Sequence, residues 1–170
     1  AGTMQARIQR VCRFTQGHEV DRARARAHAS LVLRGEKTLE TRGSDFLKAH
    51  EGTELLIHVG KNPGGRWALE GLKLAGGSAA ALAEMSRLPP GMQKGMIVGV
   101  VRVGRTIRAA ELADVSGWEA VEAAARVPRA LIGKAYVTEI KSPRWLRRGV
   151  AATPTEGGVW TATTLRESDV

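Results

Sequence analysis

The sequence predicts an α+β fold, namely a small and mostly antiparallel β-barrel with helical insertions. Five or six short stretches have strand character, helix-forming stretches lie between them, and their order shows no βαβ regularity. The chain has 170 residues, 43% of them apolar, which is enough for one domain with a substantial core. We expect that domain over 26–165, after a basic segment over 1–25 and before a tail over 166–170.

The first half of the chain begins with an imperfectly alternating stretch, 6–14, which predicts a first strand. Asp21 is a good N-cap for an alanine-rich helix that ends near Leu33, and Gly35 suits the left-handed cap of that helix. Further predictions are a strand over 37–42, a buried strand over 53–59, a Gly/Pro-rich loop over 60–66 and a helix over 78–88.

The second half is dominated by a valine-rich stretch, 96–107, which predicts the clearest strand of the chain. Ser116-Gly-Trp-Glu119 has the spacing of a capping box, so we expect a helix from there to about Val127. Strands over 135–140 and 159–164 complete the set.

The most informative stretch is 34–42, Arg-Gly-Glu-Lys-Thr-Leu-Glu-Thr-Arg, because it concentrates charge directly after a helix cap. Alternation along a strand places Glu40 and Arg42 on one face and Lys37 on the other. Buried charges must be paired, so this strand needs either water or a polar ligand around it. A solvated strand with one salt bridge satisfies that condition as well as a ligand pocket does.

The same stretch resembles the signature of the ASCH domains, the activating-signal-cointegrator homology group of PUA-like β-barrels. Three further stretches, 55–59, 95–101 and 134–146, resemble in the same order the branch called endothelial-overexpressed lipopolysaccharide-associated factor. The last of them contains the Pro-Arg-Trp sequence typical of that branch. Together the four matches cover about residues 26–163.

Taken with the charge of the chain, this resemblance implies an RNA-binding module with a polar pocket for a base or a modified nucleoside. It implies that Lys37, Glu40 and Arg42 line the pocket and that the loop over 60–66 borders it. The family usually has Gln-Pro-Tyr/Trp-Ala where this chain has Arg26-Ala27-His28-Ala29, so one wall of the pocket differs here.

The net charge of +9 and the pI of about 10.6 favour anionic partners, and single-stranded RNA or another nucleic acid comes first. An arginine-rich genome would produce the same excess of positive charge without any anionic partner. The arginine-rich segment over 1–25 is either a targeting remnant or part of the fold, and residues 1–3 resemble an expression-tag remnant. No apolar run reaches membrane-spanning length, and Cys12 is the only cysteine. We therefore expect an intracellular monomer (cytoplasm, nucleus or an organelle) without a membrane partner or a cofactor.

Two basic segments supply further candidate binding residues. In 141–148, arginines and one indole would stack on bases and hold phosphates. In 60–66, backbone N–H groups lie beside two cations. A histidine inside the apolar strand over 53–59 is either a core residue or a pocket residue. The predicted binding residues are Lys37, Glu40, Arg42, His58, Lys61, Arg66, Arg144, Trp145, Arg147 and Arg148.

Catalysis is the first alternative to nucleic-acid binding. The four histidines lack metal-ligand spacing and there is no Gly-x-Ser-x-Gly elbow, so neither a metal site nor a serine triad is predicted. One bacterial ASCH-like branch removes an acetyl group from acetylcytidine with a lysine and a threonine in the equivalent motif. In such an amidohydrolase Lys37 and Glu40 would be catalytic, although Glu40 stands where that branch has its threonine. A protein-interaction adaptor with an acidic partner is the second alternative.

Overall fold

The fold is α+β, as the sequence predicts. The computed structural model describes residues 9–14, 24–60, 84, 87–154 and 159–162. Along the chain the elements are β1 (Gln9–Phe14), α1 (Arg24–Leu33), β2 (Leu39–Arg42), a 3-10 helix (Phe46–His50), β3 (Glu54–Val59), β4 (Met96–Arg108), α2 (Ala109–Ser116), α3 (Trp118–Ala125), α4 (Arg129–Ile132), β5 (Tyr136–Ala151) and β6 (Val159–Ala162).

The strands form one six-stranded sheet in the order β2-β5-β4-β3-β1-β6. Four of them, β2-β5-β4-β3, are antiparallel, β1 joins β3 in parallel, and β6 pairs antiparallel with β1. The described strands form an open sheet and do not close the predicted barrel, since no pairing joins β2 to β6. At the β2 edge the backbone N–H of Thr38 donates instead to the carbonyl of Ala124 in α3, at 3.0 Å.

The two faces of the sheet carry separate apolar clusters. On one face, here called the α1 face, α1 and the 3-10 helix pack on residues such as Leu55 and Ile57. Gly99 lies under α1 so closely that an added Cβ would sit 2.3 Å from a methyl carbon of Leu33. The other face, here called the outer face, carries a smaller cluster that includes Leu56 and Val100. A third cluster lies under helices α2, α3 and α4, against β2 and β5.

Gly35 ends α1 in the way the sequence predicts. Its φ of +75° is left-handed, a conformation that costs glycine little. Its N–H donates to the carbonyl of Val32, at 3.0 Å, and the N–H of Glu36 donates to Leu31, at 2.9 Å. These two bonds are those of a Schellman motif, which satisfies the last carbonyls of a helix. The motif turns the chain directly into the charged segment before β2.

Several predicted elements differ from those observed. The predicted capping box is wrong: Ser116 is the last residue of α2, its hydroxyl donates to the carbonyl of Leu112, at 2.8 Å, and the N-cap of α3 is Gly117. The strand expected over 135–140 continues to Ala151, with a register shift around Ser142, whose φ is 47°. The helix predicted over 78–88 lies almost entirely outside the described residues. Helices α2 and α4 and the 3-10 helix were not predicted.

Candidate functional site

The segment after Gly35 forms a buried charged cluster at the β2 end of the α1 face. Glu40 is its centre: one carboxylate oxygen lies 3.0 Å from the guanidinium of Arg42 and the other 3.5 Å from the ammonium of Lys37. The side chains of Lys37, Glu40 and Arg42 are 1%, 6% and 11% exposed. The charged residues are therefore buried, and their charges are paired with one another.

Lys37 reaches Glu40 because it precedes β2, which begins at Leu39, and does not alternate with the strand residues. The prediction that Lys37 faces away from Glu40 is therefore wrong. The ammonium of Lys37 also donates to the carbonyl of Ala125, at 2.8 Å, where α3 ends. A cation at this position offsets the partial negative charge of a helix C-terminus, so Lys37 fastens α3 to the cluster.

Burial changes the acid–base behaviour of this cluster. It lowers the pKa of Lys37 from its usual value; Glu40 opposes that shift and Arg42 adds to it. His28 of α1 is half-buried beside the same three charges. Burial lowers the pKa of His28 to about 4, and the positive charge of Lys37 acts in the same direction. At neutral pH His28 is therefore an uncharged imidazole, which donates through one nitrogen and accepts through the other.

The sheet extends this polar region beyond the charged cluster. Thr138 lies opposite Glu40 in β5, and its hydroxyl is 2.9 Å from that of Thr106 in β4. One pleat further along, Tyr136 lies between Arg42 and Arg108 in adjacent strands. The guanidinium of Arg108 stands 4.3 Å above the centre of the Tyr136 ring. The α1 face thus carries a polar end at β2, β5 and β4, next to its apolar core.

The outer face carries an exposed row of cations, here called the basic row, which consists of Arg102, Lys141 and Arg144. Arg102 in β4 lies directly opposite Lys141 in β5, and Arg144 lies opposite Val100 of the outer-face cluster. Arg144 reaches across β4 to Glu54, with nitrogen–oxygen distances of 2.8 and 3.3 Å. The basic row and the charged cluster therefore occupy opposite faces of the sheet.

Trp145 does not share a surface with Arg144. It lies opposite Gly99, on the α1 face, and it is half-buried against the core there. His58 is buried, and one ring nitrogen is 3.1 Å from the carbonyl oxygen of Ala152. These placements match the alternative in which Trp145 and His58 are core residues.

The remaining predicted binding residues divide into two groups. Arg147 and Arg148 are exposed on β5, where the pairing with β4 shifts register between Ile97 and Gly99. The loop over 60–66 lies outside the described residues after Gly60, and with it Lys61 and Arg66. The structure thus brings Lys37, Glu40 and Arg42 together, and it leaves the predicted arginines of 144–148 on β5.

Sequence reasoning missed three kinds of site residue. His28 was noticed as a departure from a family pattern but was not assigned to the site, and its nearness to Glu40 depends on how α1 packs. Arg102 was missed because charge was counted in runs, whereas it neighbours Lys141 only through strand pairing. Tyr136 and Arg108 likewise meet only through the sheet. The alternation of arginine with valine in β4 was the one available signal for an exposed cationic row.

Metal and membrane sites were also sought in the described part of the chain. There, no three residues of the metal-ligating types come together. No described helix is both long enough and apolar enough to cross a bilayer.

The fold is similar to that of ASCH-domain proteins of known structure. Crystal structures of ASCH and of a ZmASCH point mutant, both from Zymomonas mobilis, match this chain with a TM-score of 0.50 and 11% sequence identity. Each match covers 95% of this chain and 90% of the other. No family model matches the sequence. These structures support the predicted ASCH fold, and the particular ASCH branch stays a prediction.

Proposed function

We propose that this protein is a single-stranded RNA-binding module with an ASCH fold. The observation that carries the proposal is the exposed cationic surface of β4 and β5. Seven cations of these two strands are exposed, namely Arg102, Arg105, Arg108, Lys141, Arg144, Arg147 and Arg148, and the carboxylates paired with them are Glu54 of β3 and Glu139 of β5. Such an excess attracts a phosphate backbone, and rows of arginine on a sheet suit an extended single strand.

The charged cluster is proposed as the pocket for a base or a modified nucleoside. Its partly accessible members are His28 and Arg42, and a base approaching from that side would meet a neutral imidazole and a guanidinium. Lys37 and Glu40 would hold Arg42 in place from behind, because both are almost fully buried. A pocket with perturbed pKa values and several converging polar groups is a usual site for a specific ligand.

Salt dependence of RNA binding tests the main proposal. If about four phosphates are neutralised, the logarithm of the binding constant should fall against the logarithm of salt concentration with a slope near −3. Arg102→Ala and Arg147→Ala should each weaken binding and reduce the slope by roughly 0.7. The matched control is Lys48→Ala, an exposed cation on the 3-10 helix that covers the α1 face. A flat salt response of the wild-type protein, or equal effects of all three variants, would contradict the proposal.

A separate titration tests the nucleoside pocket. Arg42→Gln should change which bases are preferred by the protein, since the guanidinium is the accessible donor of the cluster. Arg147→Ala should weaken binding of all sequences alike, because phosphate contacts carry no sequence information. An unchanged base preference in Arg42→Gln would exclude the cluster as the base-reading pocket and leave the RNA-binding surface unaffected.

A further inference from the structure

A cleft lies between α3 and the strands β2 and β5, next to the basic row. Its volume is about 390 Å³, which is within the usual range of small-ligand pockets. Its walls are mostly apolar and include Leu39, Leu112, Val121 and Ile140, and its polar lining consists of two hydroxyls and one ion pair. The other lining residues are Thr38, Ser116, Ala120, Ala124, Glu139 and Lys141. None of the residues of the charged cluster contributes to it.

The basic row leads directly into this cleft. Lys141 belongs to both, because it lines the cleft and lies opposite Arg102 in the sheet. Its ammonium is 2.8 Å from a carboxylate oxygen of Glu139, and both side chains are about half exposed at the mouth. The bond to Lys141 lowers the pKa of the Glu139 carboxyl, which therefore stays ionised at neutral pH. The mouth thus offers a cation for a phosphate and an acceptor for an N–H group.

We propose that this cleft takes one base of the single-stranded RNA that lies on the basic row. The inference rests on the proposed RNA-binding function and adds a second base site, on the opposite side of the sheet from the charged cluster. The occupant follows from charge complementarity: the basic row reaches the cleft mouth at Lys141, so a polyanion on that row brings its bases there.

The chemistry of the lining residues suits a base. Ala120 and Ala124 are one helical turn apart on α3, and their small methyl groups leave room beside Val121 and Leu112 for a planar ring to pack. The carboxylate of Glu139 accepts from an exocyclic amine, such as that of cytosine, which uracil lacks. Lys141 remains beside the phosphate of the same nucleotide. The cleft therefore prefers cytosine to uracil.

Filling the cleft is the test. Fluorescence anisotropy with ten-nucleotide oligo(C) and oligo(U) measures affinity for the wild-type protein and for Ala120→Leu. Leucine at this exposed helix position keeps helix propensity high and occupies the cleft. We expect oligo(C) affinity to fall about tenfold, which corresponds to about 1.4 kcal/mol, because leucine excludes the base from the cleft. Ala123→Leu is the matched control, exposed on the same helix and outside the cleft, and its affinity should not change.

A second variant tests the carboxylate without filling the cleft. Glu139→Gln should reduce the preference for oligo(C) over oligo(U) and leave the salt slope nearly unchanged. The cleft proposal would be overturned if the wild-type protein binds RNA and Ala120→Leu weakens that binding no more than Ala123→Leu does. The proposed RNA-binding function would remain standing in that case. No RNA binding by the wild-type protein would remove both proposals. Binding of a polyglutamate peptide that Ala120→Leu abolishes, with RNA binding intact, would assign the cleft to a protein partner instead.

Discussion

Glu40 is the residue on which the charged cluster depends. It accepts from Arg42 at 3.0 Å and lies 3.5 Å from Lys37, in a site where little water can replace it. Removing one partner of a buried ion pair leaves charge without compensation and typically costs about 3–5 kcal/mol. We expect Glu40→Gln to lower the free energy of unfolding by about 3 kcal/mol, measured by urea titration.

The control for Glu40 is Glu139→Gln. Glu139 also pairs with a lysine, Lys141, at 2.8 Å, but both side chains are about half exposed. Water screens such a pair, so Glu139→Gln should lower the free energy of unfolding by less than about 1 kcal/mol. Equal losses for the two variants would show that the cluster around Glu40 is solvated in solution.

His28 should make stability depend on pH. Its pKa is about 4 in the folded protein and near 6.5 when unfolded, so the unfolded chain binds the proton first as pH falls. The contribution of neutral, buried His28 to the free energy of unfolding is therefore fully present above pH 6.5. It is lost progressively between pH 6.5 and pH 4, and the total loss approaches about 3 kcal/mol. Urea titrations across this range should show the loss, and His28→Gln should remove it. His50→Gln, on the 3-10 helix, is the control, and a loss that persists in His28→Gln would contradict the assignment.

The hydrolase alternative depends on the same carboxylate. A threonine is an acyl-accepting nucleophile, whereas Glu40 would have to activate water, and both of its oxygens already face cations. We expect no efficient release of cytidine when the protein is incubated with acetylcytidine. Robust turnover that Glu40→Gln abolishes would place the protein among the amidohydrolases.

The resemblance to the ASCH signature grouped Lys37, Glu40 and Arg42, whereas strand alternation alone placed Lys37 on the other face. Neither argument predicted their burial. That depends on Ala125, 88 residues away from Lys37, and on the packing of α1 over the sheet. Periodicity describes which residues share a face of one element, and it carries no information on what covers that face.

At the scale of elements, the cap of α1 positions the charged segment. Gly35 has a φ of +75°, and an added Cβ would meet nothing within 4 Å, so alanine there costs only backbone strain. We expect Gly35→Ala to lower the free energy of unfolding by about 1 kcal/mol. Gly43→Ala is the control, since Gly43 has equal space and no positive φ. A thermal or urea titration that finds the two variants equal would contradict the assignment of the cap.

Element boundaries were predictable where local chemistry sets them. The glycine cap after Leu33 and the valine-rich β4 were predicted within one or two residues. The extension of β5 through 141–151 was not, because a proline and a run of arginines read as a strand end. A register shift around Ser142 accommodates the extra residue there. Long-range pairing with β4 thus overrides the local signals.

At the scale of the whole molecule, the sheet separates two polar regions. Sequence reasoning assigned Arg144 to the path of the RNA strand and the residues around Glu40 to a base pocket, but a linear pattern does not reveal which side of a sheet each segment faces. Strand pairing assigns them to opposite sides: Arg144 lies opposite Val100 on the outer face, and Glu40 lies near α1. The molecule therefore has two separate polar regions: the basic row, which is exposed and cationic, and the charged cluster, which is buried and contains both signs of charge.

The position of bound RNA tests the central claim most directly. Backbone amide chemical shifts of the ¹⁵N-labelled protein, recorded during titration with a ten-nucleotide single-stranded RNA, identify the face that binds. We expect the largest changes in 100–105 and 139–148, which carry the basic row and the cleft mouth. Changes confined to the 3-10 helix and the residues around it, or no change at saturating RNA, would contradict the account.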